Sequence, residues 1–133
     1  MIGPMNNTRL LGVLALITAP MCIADSQAPF ACNLRAFQPE QRQRWRVLLD
    51  GVYAAVSDRR ELPNGYAFLI DTNRMPLRQL AEWIDLERRC CPFFNFELAV
   101  QGEDGTTWLS LKGRPGVKAF IEADMPALRG QHR

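Results

Sequence analysis

The sequence contains one histidine, and it has neither a Cys-x-x-Cys spacing nor a glycine-rich loop after a predicted strand. Because His132 stands near the carboxyl end, the chain offers no Ser-His-Asp set. The missing Cys-x-x-Cys spacing removes the usual pattern of a structural zinc site. Without the glycine-rich loop there is no ready phosphate cradle. We therefore do not expect conventional hydrolase or nucleotide chemistry, and a non-catalytic role is favoured.

The sequence also has no large excess of positive or negative side chains. Sixteen lysines and arginines face fourteen acidic residues, which gives a formal net charge of +2. A nucleic-acid-binding domain would be expected to concentrate basic residues on one face, so we predict no nucleic-acid partner. With 133 residues, 47% of them hydrophobic and 23% charged, the composition is that of one ordinary globular domain.

The longest apolar run, residues 10–24, has 15 residues and is too short to cross a bilayer, which needs about 20. A basic Arg9, a short apolar middle and small residues after it are typical of a secretory signal. We predict a signal peptide over 1–24, with cleavage after Ala24 or as late as Ala28. The mature protein would then be periplasmic or secreted, without a permanent membrane anchor. The alternative is an incorrectly assigned upstream start or a buried amino-terminal helix, in which case the protein is cytoplasmic.

Removal of the signal would take Cys22 with it and leave three cysteines: Cys32, Cys90 and Cys91. An odd number in an oxidising compartment implies one disulfide with a leftover thiol, an intermolecular bond, or metal ligation.

Hydrophobic periodicity predicts the elements of this mature chain. Apolar residues three and four apart predict one helix beginning at Pro39 and a second beginning at Pro76, which ends at the cysteines before Pro92. A third short helix follows Val117. Ranges 59–62 with 66–70, and 94–100 with 107–111, read as strands joined by turns, and 31–37 as a short edge strand or extended lead-in.

This order predicts an α+β fold in two layers, with an antiparallel sheet of three to four strands and about three helices. We assign it to a single domain over 30–125, followed by a flexible tail over 126–133.

The segment 87–98 contains two adjacent thiols, two arginines and the Glu87 carboxylate together with three phenylalanines. Cys90 and Cys91 are adjacent at a helix end, where the negative pole of the helix disfavours thiolate. Arg88 and Arg89 act in the opposite direction and could tune the thiols. Glu87, three and four residues before them, could be an auxiliary ligand, a proton acceptor for a thiol, or an ion-pair partner of the arginines.

Three functions remain open for the cysteines. In the leading hypothesis, Cys32, Cys90 and Cys91 converge to within about 4 Å and bind a soft metal or metalloid, for which thiolates are selective. In the second, Cys32 forms a disulfide with Cys90 or Cys91 in a structural or interaction domain, while the other cysteine is buried and inert. The third, a thiol oxidoreductase, needs an exposed cysteine of low pKa, which the helix polarity does not favour.

The segment 86–98 resembles a group of small, uncharacterised bacterial proteins with the signature Glu-x-x-Cys-Cys-x-Phe-x-x-Phe-x-Leu. The likeness extends to 31–34, 62–66, 111–113 and 116–120, and so covers about residues 30 to 125. No settled activity comes with the resemblance. An association of some members with metal-responsive regulators implies soft-metal handling. Many members look cytoplasmic, and the apolar run near the amino end departs from them.

Overall fold

The computed structural model describes residues 2–3 and 29–129. Within this part of the chain, a short 3-10 helix, Leu34–Ala36, precedes three α-helices and four β-strands. In chain order these are α1 (Pro39–Ala55), β1 (Val56–Leu62), β2 (Gly65–Ile70), α2 (Leu77–Cys90), β3 (Asn95–Val100), β4 (Thr107–Lys112) and α3 (Val117–Asp124). A second 3-10 helix, Pro126–Arg129, follows.

The four strands form one antiparallel sheet in the order β1-β2-β4-β3. A helix followed by a hairpin occurs twice, as α1-β1-β2 and α2-β3-β4, and the two hairpins join through their inner strands β2 and β4. The predicted α+β class is confirmed, with four strands and three α-helices in the described residues.

The core lies between the helices and one face of the sheet. Tyr66 and Phe68 of β2 stand opposite Leu111 and Leu109 of β4, so all four side chains project to the same side. These residues are buried in one cluster with helix residues, among them Leu48, Val52, Leu80, Trp83, Cys90, Phe120 and Ile121. Helices therefore cover one face of the sheet, as expected for two layers.

Two positions in turns require glycine, Gly65 because there is no room for a Cβ and Gly116 because of its backbone conformation. A Cβ on Gly65 would stand 2.8 Å from the Cα of Lys112, so β2 and β4 could not keep their spacing there. Gly116 precedes α3 with φ of 100°, a left-handed conformation that other residues rarely adopt. Gly65 lies in the turn that the sequence predicts between 59–62 and 66–70.

Some boundaries differ from the predictions. Residues 34–36 form a 3-10 helix instead of a strand, because the Asn33 side chain accepts a hydrogen bond from the Arg35 N–H and favours a local turn. Pro126–Arg129 also forms a 3-10 helix, whereas the sequence predicts a flexible tail from 126. Leu128 fixes this segment by burying its side chain in the core.

The predicted signal peptide, 1–24, lies almost entirely outside the described residues. Among the residues that the structure describes, no helix is both long and apolar enough to cross a membrane.

Candidate functional site

Cys32, Cys90 and Cys91 meet at one place. Their sulfur atoms all lie within 4.8 Å of one another, although Cys32 is 58 and 59 positions away from the other two along the chain. Cys90 and Cys91 are fully buried, and Cys32 is exposed. The structure thus brings together the residues that the sequence predicts as a cluster, and one of them faces solvent.

The end of α2 turns both adjacent cysteines toward Cys32. Cys90 is the last helical residue, and Cys91 leaves the helix with φ of −121° and ψ of 72°. Pro92 follows at the point where a proline cannot continue the helical hydrogen bonds. Successive helical side chains diverge by about 100°, so this departure is what allows neighbouring sulfurs to approach a common point.

The segment that carries Cys32 is held against the end of α2 by its neighbours. The Asn33 backbone N–H donates to the Cys90 carbonyl oxygen at 2.8 Å, which satisfies one of the orphan carbonyls at the helix end. On the other side, the Phe30 ring meets the edge of Phe93 at a centroid distance of 5.1 Å and stacks on Phe120. These contacts fix Cys32 from both directions.

Cys32 and Cys91 form a disulfide, with their Cα atoms 4.8 Å apart. This spacing is within the range that disulfides require. The sequence left open whether Cys32 pairs with Cys90 or Cys91. The structure assigns the bond to Cys91 and leaves Cys90 as a free, buried thiol.

The Cys90 thiol is protonated at neutral pH. Its pKa is raised to about 11, first by burial and then by the nearby Glu87 carboxylate, while a hydrogen bond from the Asn33 backbone opposes the rise. Because the thiolate is the reactive form, Cys90 in this setting is a weak nucleophile. The exposed cysteine of low pKa that a thiol oxidoreductase needs is not provided by Cys90.

Glu87 is buried in the core next to the cluster, with 1% of its surface exposed. The indole Nε1–H of Trp45 donates to a carboxylate oxygen of Glu87 at 2.5 Å. Burial raises the pKa of Glu87 to about 7, and the Trp45 bond opposes that rise. The half-buried Tyr53 lies near enough that Glu87 contributes to raising the Tyr53 pKa to about 12, after burial itself.

This position differs from the commonest interpretation of Glu87 in the sequence, an ion pair with a neighbouring arginine. The partner that the structure gives Glu87 is Trp45, 42 positions earlier on α1. The spacing of apolar residues in the sequence places Trp45 on the apolar face of the first helix and gives no indication of this contact. The signal that could have revealed it is the indole N–H, because a buried tryptophan usually needs an acceptor for that group.

The contacts that the structure gives the two arginines are with groups other than the sulfurs. Arg88 donates to Asp85 at 2.7 Å and 2.9 Å on the exposed side of α2. Arg89 donates to the Ala36 carbonyl oxygen at 3.3 Å, and its guanidinium lies 5.5 Å from the centre of the Phe37 ring. Arg89 therefore links α2 to the segment after Cys32, and its described contacts are structural.

No family model, curated protein or solved structure matches this chain. The resemblance carried by the double-cysteine segment stays a prediction, and the case for a function rests on the geometry of the cluster.

The cluster can exist in two chemical forms. With the Cys32–Cys91 bond in place, the segment before α1 is covalently linked to the end of α2, and Cys90 remains as a buried free thiol. When that bond is reduced by an external thiol, three sulfur donors are free at one place, with a carboxyl group beside them. The second form is a donor set for soft metals and metalloids.

Proposed function

We propose that the protein, in its reduced form, binds a soft metal or metalloid through Cys32, Cys90 and Cys91. The observation that carries this proposal is the convergence of three sulfurs, from two distant segments, to within 4.8 Å of one another. Metal–sulfur bonds of about 2.3 Å hold two sulfurs at most roughly 4.6 Å apart on one ion. The observed limit exceeds the expected 4 Å, so side-chain rotation after reduction must complete the site.

Glu87 is the auxiliary group of this proposal. Its carboxyl group is close enough to Cys90 to raise the pKa of that thiol. Its own pKa, raised by burial to about 7, allows it to accept a proton near neutrality. Glu87 would act as a proton acceptor for a thiol or as an additional ligand. Arg88 and Arg89 are not used in the proposal, because their described contacts lie elsewhere.

A second candidate function is favoured by the disulfide itself. A disulfide-stapled structural or interaction domain requires Cys32 to pair with one of the adjacent cysteines while the other is buried and inert. The Cys32–Cys91 bond and the buried Cys90 have this arrangement. In this candidate the cluster has no chemistry beyond stabilising the fold.

We further propose that the protein acts in the periplasm or outside the cell, after removal of a signal peptide. The disulfide supports this placement, because such bonds persist mainly in oxidising compartments. There the resting form is disulfide-bonded, and metal binding needs prior reduction by a thiol. In the alternative, a cytoplasmic protein, the three thiols would be reduced at rest.

The experiment that separates the two functions is native mass spectrometry of protein recovered from its own compartment without reductant, followed by alkylation under denaturing conditions. Three alkylated thiols and a bound ion that is lost on denaturation would support metal binding. One alkylated thiol and no ion would identify the disulfide-bonded resting form, which both functions allow, and the binding of ions after reduction then decides between them. If the disulfide protein is then reduced anaerobically and offered thiophilic ions, failure of every ion to bind would refute metal handling.

Matched variants locate the site in the same experiment. Cys90→Ser keeps the disulfide and removes one donor, whereas Cys32→Ser removes the disulfide and one donor together. Under the metal proposal both reduced variants bind less tightly than the reduced wild-type protein. If the cysteines serve only as a structural disulfide, Cys32→Ser strongly lowers the stability of the oxidised protein and Cys90→Ser does not.

A further inference from the structure

The donor atoms that the structure already groups at one place are three sulfurs, and Glu87 is not part of that group. Within residues 2–3 and 29–129, Cys32, Cys90 and Cys91 are the one group of three or more histidine, cysteine or acidic side chains placed to hold an ion. The nearby carboxylate of Glu87 already accepts the Trp45 indole N–H. An ion or metalloid that is fully coordinated by three sulfurs therefore fits this site better than one that needs a fourth ligand.

The net charge of the complex further limits which ions the three sulfurs can bind. Three thiolates around a divalent ion leave a net charge of −1, and around a monovalent ion −2. Around a trivalent centre they leave none. Cys90 and Cys91 have 0% of their surface exposed, and a net charge confined to a buried site is unfavourable unless it is paired.

The charged side chains closest in sequence to the adjacent cysteines are Glu87, Arg88 and Arg89. Glu87 is acidic and is buried one helical turn before Cys90, so it supplies no positive charge. Arg88 is paired with Asp85, and Arg89 donates to the Ala36 carbonyl oxygen. An anionic complex would therefore gain no compensating contact from these three side chains as the structure places them.

We infer that the reduced cluster selects trivalent metalloids of the arsenite and antimonite type, held as a neutral complex of Cys32, Cys90 and Cys91. This inference rests on the proposed function and names the class of its ligand. It adds a reason for selectivity that the number of sulfurs alone does not give.

The binding step is a condensation without a change of oxidation state. Each of the three S–H bonds and each of the three As–OH bonds is broken, three As–S bonds form, and three water molecules leave. Arsenic stays trivalent throughout. Before this step a small dithiol must reduce the Cys32–Cys91 bond: it donates two electrons and two protons to the two sulfurs, which become thiols, and is itself oxidised to a disulfide.

The exposure of the sulfurs sets the order of events. Cys32 is exposed and the other two are buried, so the first arsenic–sulfur bond forms at Cys32. The two inner sulfurs then displace the remaining hydroxyl groups. Loss of Cys32 should accordingly slow the uptake of metalloid as well as weaken it.

The test uses the whole chain, reduced anaerobically and freed of reductant, and titrates it separately with arsenite, Cd²⁺ and Hg²⁺. Native mass spectrometry gives the stoichiometry, and iodoacetamide counts the thiols that remain free. We expect one arsenic per chain with all three thiols of the cluster protected, and binding tighter than that of Cd²⁺ by about tenfold or more.

Single serine variants at each of the three cysteines are the matched controls. We expect each to weaken arsenite binding by at least roughly tenfold, with circular dichroism confirming that the reduced variants stay folded. Because the variants remove different sulfurs, a folding failure of one leaves the other two to decide. Arsenite binding as tight in all three variants as in the wild-type protein would overturn the three-sulfur complex.

The outcomes separate this inference from the proposed function. Tight Cd²⁺ binding through three sulfurs with weak arsenite binding would overturn metalloid selectivity and leave a soft-metal site standing. So would preferential Hg²⁺ binding through two sulfurs with the third still alkylated. Failure of all three ions to bind would remove both the inference and the proposed function.

Discussion

Reduction of the Cys32–Cys91 bond should destabilise the fold without erasing it. The bond joins residues separated by 59 positions. On the chain-entropy model, opening a loop of this length returns about 14 cal/mol/K to the unfolded chain, or about 4 kcal/mol at 25 °C. For a domain of this size that is a large share of a total stability of roughly 5 to 15 kcal/mol.

Urea denaturation with and without reductant measures the effect. With an m-value of roughly 2 kcal/mol/M, a loss of 4 kcal/mol lowers the urea midpoint by about 2 M. Cys90→Ser is the matched control, because it exchanges a sulfur in the same cluster and keeps the bond. Reductant should lower the midpoint of Cys90→Ser by the same amount as that of the wild-type protein, and should leave Cys32→Ser unchanged.

Two results would contradict this reasoning. A midpoint shift that disappears in Cys90→Ser would mean that Cys90, and not Cys91, is the partner of Cys32. A shift below about 0.5 M in the wild-type protein would mean that the unfolded chain is not constrained as the model assumes.

Three further predictions follow from the same structure. The pKa of Glu87 is about 7 in the fold against an ordinary 4.5, so the folded protein binds this proton more tightly than the unfolded chain does. The resulting contribution to the free energy of unfolding is fully present below pH about 4.5 and is lost as the pH rises through about 7. The loss amounts to roughly 3 kcal/mol. Glu87→Gln should remove this part of the pH dependence in urea titrations at pH 5 and pH 8, and an unchanged slope would contradict the burial of the carboxyl group. Trp45→Phe removes the donor to Glu87 and should cost roughly 1–3 kcal/mol, while raising the Glu87 pKa further; a variant as stable as the wild-type protein by thermal unfolding would argue against the bond. The Cys90 thiol, buried and with a pKa raised to about 11, should resist iodoacetamide in the native oxidised protein at pH 8 and react after denaturation. Rapid native labelling of Cys90 would show that the site opens.

Most elements of the fold could be predicted because their signals are local. Pro39 and Pro76 mark the beginnings of the first two helices, and Pro92 marks the end of the second. The alternation from Phe94 to Val100 predicts β3 to within one residue. These patterns depend on periods and turn residues within a few positions of one another.

The strand order and the site partners could not be predicted, because they depend on contacts far apart in the chain. The junction of the two hairpins through β2 and β4 brings together residues about 40 positions apart, for which a single sequence has no signal. Likewise, the choice of Cys91 over Cys90 depends on the backbone angles with which Cys91 leaves α2. The burial of Glu87 depends on Trp45 from another helix.

The most direct test of the central claim counts the sulfur atoms around a bound guest. X-ray absorption at the arsenic edge, on the reduced protein loaded with one equivalent of arsenite, reports the number and type of the nearest atoms. We expect three sulfurs at about 2.3 Å and no oxygen, with one sulfur fewer in each of Cys32→Ser, Cys90→Ser and Cys91→Ser. A first shell containing oxygen in the wild-type protein, or one unchanged by these substitutions, would contradict the three-cysteine site.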